Sequence, residues 1–167
     1  MIFNKKYKNI LVSFKRMILK KENCLVEWED SRWIVLTSFS FMFPSIFALF
    51  HRLYFYSGLL ILTSFISANY WRKATDSWRR NLDLFFAKIS FFVFLYNGIQ
   101  YIRTPVYIMT GYPGLILLVY FYYLSCKHFR EKKNGWVKFH CMFHLFMMGE
   151  QMIILDSMIK LQCSQNL

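Results

Sequence analysis

Residues 33–70 read WIVLTSFSFMFPSIFALFHRLYFYSGLLILTSFISANY, and only His51 and Arg52 interrupt the two apolar blocks. A membrane-crossing helix needs about 20 mostly apolar residues. Trp33–Phe50 and Leu53–Tyr70 meet that need, with the pair between them left as a hairpin turn. Three further blocks follow, at Leu84–Ile102, Pro105–Cys126 and Trp136–Met158. The pattern predicts an all-α, multi-pass transmembrane helical bundle of about five spans. Within the fourth block, Gly111-Tyr112-Pro113-Gly114 predicts a break or kink, because proline lacks an amide donor and crowds the preceding turn. Composition agrees with the blocks. The 167-residue chain is 56% hydrophobic yet carries a net charge of +12, which fits neither a disordered chain nor an ordinary soluble core and surface.

The charges give orientation, since Lys and Arg collect on cytoplasmic loops. Lys5, Lys6, Lys8, Lys15, Arg16, Lys20, Lys21 and Arg32 precede the first span. Arg72, Lys73, Arg79 and Arg80 follow the second, and Lys127, Arg130, Lys132, Lys133 and Lys138 follow the fourth. Few basic residues fall on the other side, so the N-terminus is expected in the cytoplasm. This distribution also sets aside nucleic acid as a partner, because the charge is split among loops and no zinc-finger or RNA-binding signature accompanies it. Residues 1–32 read as a basic N-terminal segment. There Phe3, Tyr7, Ile10, Leu11, Phe14, Met17 and Ile18 recur at helical spacing, as in an amphipathic helix lying on an anionic leaflet or in a topogenic tail. Residues 33–158 form the helical domain and 159–167 a short tail. An endomembrane or virion membrane fits better than a mitochondrial one, because Lys outnumbers Arg and Glu22, Glu27, Glu29 and Asp30 follow closely.

Cys24, Cys126, Cys141 and Cys163 show no paired metal spacing, and no nucleotide-binding or serine-hydrolase motif is present. Ionisable residues within spans are costly and therefore become functional candidates. His140 and His144 lie four apart, on one face of a helix, at a spacing that suits two ligands of a zinc ion or two packing contacts. Ser67 falls near the inner end of the second span and Asp83 at the inner start of the third. All four sit at similar depth, as a shared site requires. The bland readings are a small residue for close packing at Ser67, a first-turn acid after an Asn81 cap at Asp83, and an interfacial anchor at Trp71. Lys88 is expected to snorkel to the inner surface. Glu150 and Asp156 lie farther along the last span.

Ser67-x3-Trp71-x11-Asp83, together with His140-x3-His144, resembles the motif set of the CREST superfamily of membrane hydrolases, which includes the alkaline ceramidases and the progestin and adiponectin receptors. The likeness covers residues 64–83 and 136–150. It implies a zinc ion held by histidines near one membrane face, activating water to cleave a lipid amide. Under that implication His140 and His144 are metal ligands, Asp83 a general base or third ligand, and Ser67 an orienting hydroxyl. Two departures accompany it. Trp71 stands where the family has its first zinc histidine, and the family has seven spans. The competing expectation is a non-catalytic membrane scaffold or subunit, with membrane lipids and protein partners in a larger assembly.

Overall fold

The computed structural model describes residues 25–165, which form a helical bundle without strands among those residues. The amphipathic stretch Phe3–Ile18 and Cys24 lie outside the described residues. The first rod consists of α1 (Trp28–Ser38), a 3-10 turn (Phe39–Phe41) and α2 (Met42–Phe50). Then come α3 (Tyr54–Trp71), α4 (Trp78–Tyr101), α5 (Pro105–Arg130) and α6 (Trp136–Gln165). The five rods match the five apolar blocks, but their ends run farther. Helix α4 begins at Trp78, and α6 continues through residues assigned on sequence to the tail.

Length and composition make three of these rods apolar enough to cross a membrane: Trp28–Phe50, α4 and α5. The span count they support is about three, against the five expected. Helices α3 and α6 fall short because they carry more polar residues, and many of these are buried in the bundle: Ser57, Thr63, Ser64 and Ser67 on α3, and His144, Gln151 and Ser157 on α6. The chain is an integral membrane protein with its polar side chains turned inward and its large apolar ones turned out.

The inward residues recur at a seven-residue spacing on every rod. Ser31, Ser38 and Ser45 lie on the first, Ser57, Ser64 and Trp71 on α3, and Asp83, Ser90 and Asn97 on α4. Gly111, Leu118 and Ser125 follow on α5, and Val137, His144, Gln151 and Met158 on α6. A seven-residue repeat keeps one stripe facing its neighbours along a shallow left-handed crossing. Small residues on that stripe let backbones approach, and hydroxyls can return their hydrogen bonds locally. Ser38 Oγ, for example, donates to the Ile34 carbonyl at 2.8 Å and Thr63 Oγ1 to Leu59 at 2.8 Å.

The 3-10 turn has a local cause and a consequence. Pro44 has no amide hydrogen for the Ser40 carbonyl. The Met42 amide bonds to the Phe39 carbonyl, three residues back, which releases the carbonyl of Ser38. Ser64 Oγ of α3 donates to that carbonyl at 2.9 Å, so the irregularity in the first rod becomes a tie to the next.

Helix α5 shows no break at Gly111-Tyr112-Pro113-Gly114; it is continuous from Pro105 to Arg130, with Pro113 inside it. Packing against α6 supports the helix there, and membrane helices tolerate proline when neighbours stabilise the segment. The glycines have a packing role instead. The Glu150 carboxyl of α6 lies in the groove they leave, and a Cβ at position 114 would overlap it. Gly114→Val is therefore expected to push the Glu150 carboxyl, the flexible end of its side chain, out of the groove at a cost of under about 1 kcal/mol, read as thermal unfolding in detergent. Most of that loss should vanish when Glu150→Ala is also present. Equal costs in both backgrounds would show that the Glu150 contact is not the cause.

At the opposite end from the basic loops, Tyr107 donates to the Asp156 carboxylate, and Lys160 Nζ lies 2.8 Å from the same oxygen. This cluster fastens the start of α5 to the last turns of α6. At the other end, residues 131–135 join α5 and α6 through Gly135 at φ +98°. Lys133, 2.6 Å away, holds the exposed Glu131 carboxyl below the usual carboxylate range.

Candidate functional site

Helices α4 and α5 are consecutive in sequence but do not pack on each other; α4 leans on α3 and α6, while α5 pairs with α6. Between them lies a cavity of about 500 Å³, within the usual range of roughly 300–1,000 Å³ for a small-molecule site. Its rim includes Leu84 and Phe92 of α4 and Val119 and Tyr122 of α5, all exposed on the outer surface. The opening therefore faces sideways, between two helices whose exterior is apolar. Inside, the lining is mostly aromatic and aliphatic, with Phe91, Leu118, Phe143 and Met147 along its length.

Ser67, Asp83, His140 and His144 all line this cavity. The shared depth inferred from sequence thus becomes a shared site, assembled from α3, α4 and α6. Asp83 is 8% exposed and interacts through its carboxyl with the Ser67 hydroxyl. Ser67 Oγ also lies 3.2 Å from Ser38 Oγ. Asp83 lies in the second turn of α4, not the first, because the helix begins at Trp78 after Ser77. Asn81 does not cap it, since the helix N-cap is Ser77.

The two imidazoles stack along α6 with ring centroids 4.8 Å apart. His144 Nδ1 lies 3.1 Å from Thr37 Oγ1. The Thr37 hydroxyl proton is directed at the carbonyls of Trp33 and Ile34, at 3.1 and 3.2 Å. The contact ties the His144 ring to the first rod and fixes its orientation through Nδ1. His140 Nδ1 pairs with Ser125 Oγ of α5 at 3.2 Å, which gives that ring a fixed orientation also.

A zinc ion meets this arrangement halfway. Histidine ligands characteristically engage their second ring nitrogen in an orienting hydrogen bond, and both rings have such a partner. The third ligand is missing. A catalytic zinc takes three protein ligands and keeps one position open, whereas no group of three His, Cys, Asp or Glu side chains among the described residues converges on one point. Asp83, expected as a base or third ligand, lines the cavity without joining the histidines into such a group. Trp71 packs against His140. It is 9% exposed, with its ring 4.9 Å from His140, 6.0 Å from Trp136 and 4.8 Å from Tyr70. The interfacial anchor expected there is instead a buried wall of the site. The residues present do not fit a three-ligand zinc centre.

Four contributors were not singled out in the sequence. Ser125 and Thr37 orient the histidines, and Gln151 with Ser90 forms a polar pair deeper in the cavity. The spacing of seven from Asp83 to Ser90 and from His144 to Gln151 was the available signal. Arg80 and Lys88 line the opening, so Lys88 borders the cavity as well as reaching outward. Glu150 and Asp156 belong elsewhere, to the glycine groove and the Lys160 cluster. No family model, curated protein or solved structure matches this chain.

Proposed function

We propose that this protein is a membrane-embedded lipid-binding protein whose CREST-like residues form a metal-free polar cluster, so that the chain holds a lipid without cleaving it. The observation that carries this reading is the side-opening cavity between α4 and α5, with Ser67, Asp83, His140 and His144 at one end and apolar side chains along its length. That gradient suits an amphiphile: a polar head takes hydrogen bonds from a preorganised group, and the chain follows the apolar wall. The polar end lies toward the loops carrying Arg72, Lys73, Arg79, Arg80 and Lys127. Under the charge rule this places the cluster on the cytoplasmic side, with lateral access from the inner leaflet.

The absent third ligand separates this reading from hydrolysis. A lipid amide with a fluorescent acyl chain, incubated with the purified protein and added zinc, is expected to bind and be recovered intact. Cleavage that disappears in a His140→Ala/His144→Ala double variant would overturn the proposal in favour of the hydrolase implied by the motifs.

A further inference from the structure

The cavity has a second polar level. Gln151 of α6 is 1% exposed and lines it, with Nε2 donating to Ser90 Oγ of α4 at 3.5 Å. Its Oε1 has no partner. Other buried polar groups on the inward stripes are provided for. Asn97 accepts from Tyr56 at 3.0 Å and donates to the Val93 carbonyl at 2.6 Å, and Ser157 donates to the Ile153 carbonyl at 2.8 Å. An unpaired amide end within a low-dielectric interior is costly, and natural structures rarely leave one. Rotating the amide does not help, because its NH2 end would then face the cavity unpaired.

The level is set by helix geometry. Asp83 to Ser90 and His144 to Gln151 are each seven residues, about 10 Å at the helical rise of 1.5 Å per residue. Helices α4 and α6 start at the same end of the bundle, where both border the cavity near Trp71, so the two intervals run together. Between the levels the lining includes the apolar Ala87 and Met147, with Phe91 and Phe143 flanking them and Lys88 at the opening.

We infer that the cavity selects an amphiphile carrying a hydroxyl group partway along its chain, with the hydroxyl at Gln151 and Ser90 and the head at the opening beside Arg80 and Lys88. This rests on the lipid-binding reading and names the ligand class. A hydroxyl both donates and accepts, so it completes Gln151 in either amide orientation and can bond Ser90 as well. An anionic head is the simplest match for Arg80 and Lys88 at the opening.

The test measures binding of stearate and its mid-chain hydroxy derivative to the full-length protein in neutral-lipid nanodiscs, by native mass spectrometry and competition. The hydroxylated chain is expected to bind at least about tenfold more tightly, equivalent to about 1.4 kcal/mol. In Gln151→Leu the two affinities should converge, and Ser90→Ala should narrow the gap. Equal binding by the unaltered protein overturns the inference while leaving the lipid-binding reading standing; a water molecule then serves Gln151. Binding of neither chain overturns both. A preference that persists in Gln151→Leu and in Ser90→Ala also overturns the inference, because the hydroxyl is then read elsewhere.

Discussion

Trp71→His is expected to give a protein that retains about one zinc ion per molecule through purification, where the unaltered chain retains little. The argument is geometric. His140 and His144 already sit one turn apart with orienting partners at Nδ1, and Trp71 packs edge-on against His140 at a centroid distance of 4.9 Å. Replacing the indole with an imidazole supplies the missing donor where the motif places it. A direct ligand is worth at least the roughly 10–100-fold in affinity that a ligand's orienting partner contributes. Trp71→Phe is the control, since it alters the packing without adding a donor. Zinc analysis by atomic emission checks the outcome. Full zinc occupancy in the unaltered protein, or none in a folded Trp71→His variant, would show that Trp71 is not what separates this site from a metal centre.

If the cavity holds a lipid as proposed, Ala87→Trp is expected to expel it. Ala87 follows Asp83 by four residues and precedes Ser90 by three, so it faces the stretch between the two polar levels. A tryptophan there fills empty space rather than occupied core, and overpacking costs do not apply as they would in a close-packed interior. Co-purifying lipid should fall at least about tenfold, with thermal stability equal to or above that of the unaltered protein. Undiminished lipid in a stable Ala87→Trp variant would mean that the lipid sits outside this cavity.

The five rods were legible because the apolar blocks are long and the interruptions between them are charged. Site convergence was legible for a different reason. Ser67, Asp83, His140 and His144 each lie near a helix end whose side of the membrane the charges specify, so depth followed from topology. What hydropathy could not show was which face of each rod turns inward. Ser90 and Gln151 look like incidental polar residues in apolar runs until the seven-residue spacing is followed from Asp83 and His144. Trp71 was misjudged because aromatic residues beside Arg72 and Lys73 usually mark an interface, whereas here α6 supplies His140 and Trp136 to cover the ring. The break expected at Pro113 is absent because hydropathy and local breakers do not show the tertiary contact there, the Glu150 side chain held against Gly111 and Gly114.

The central claim is a lipid held in a side-opening cavity whose polar cluster lacks a metal. Native mass spectrometry of the protein released directly from membranes, without chelator, tests both halves in one spectrum. The expected result is the mass of the chain plus one lipid and no zinc increment. A chain carrying stoichiometric zinc, or one that is bare under conditions that preserve lipid on other membrane proteins, would contradict it.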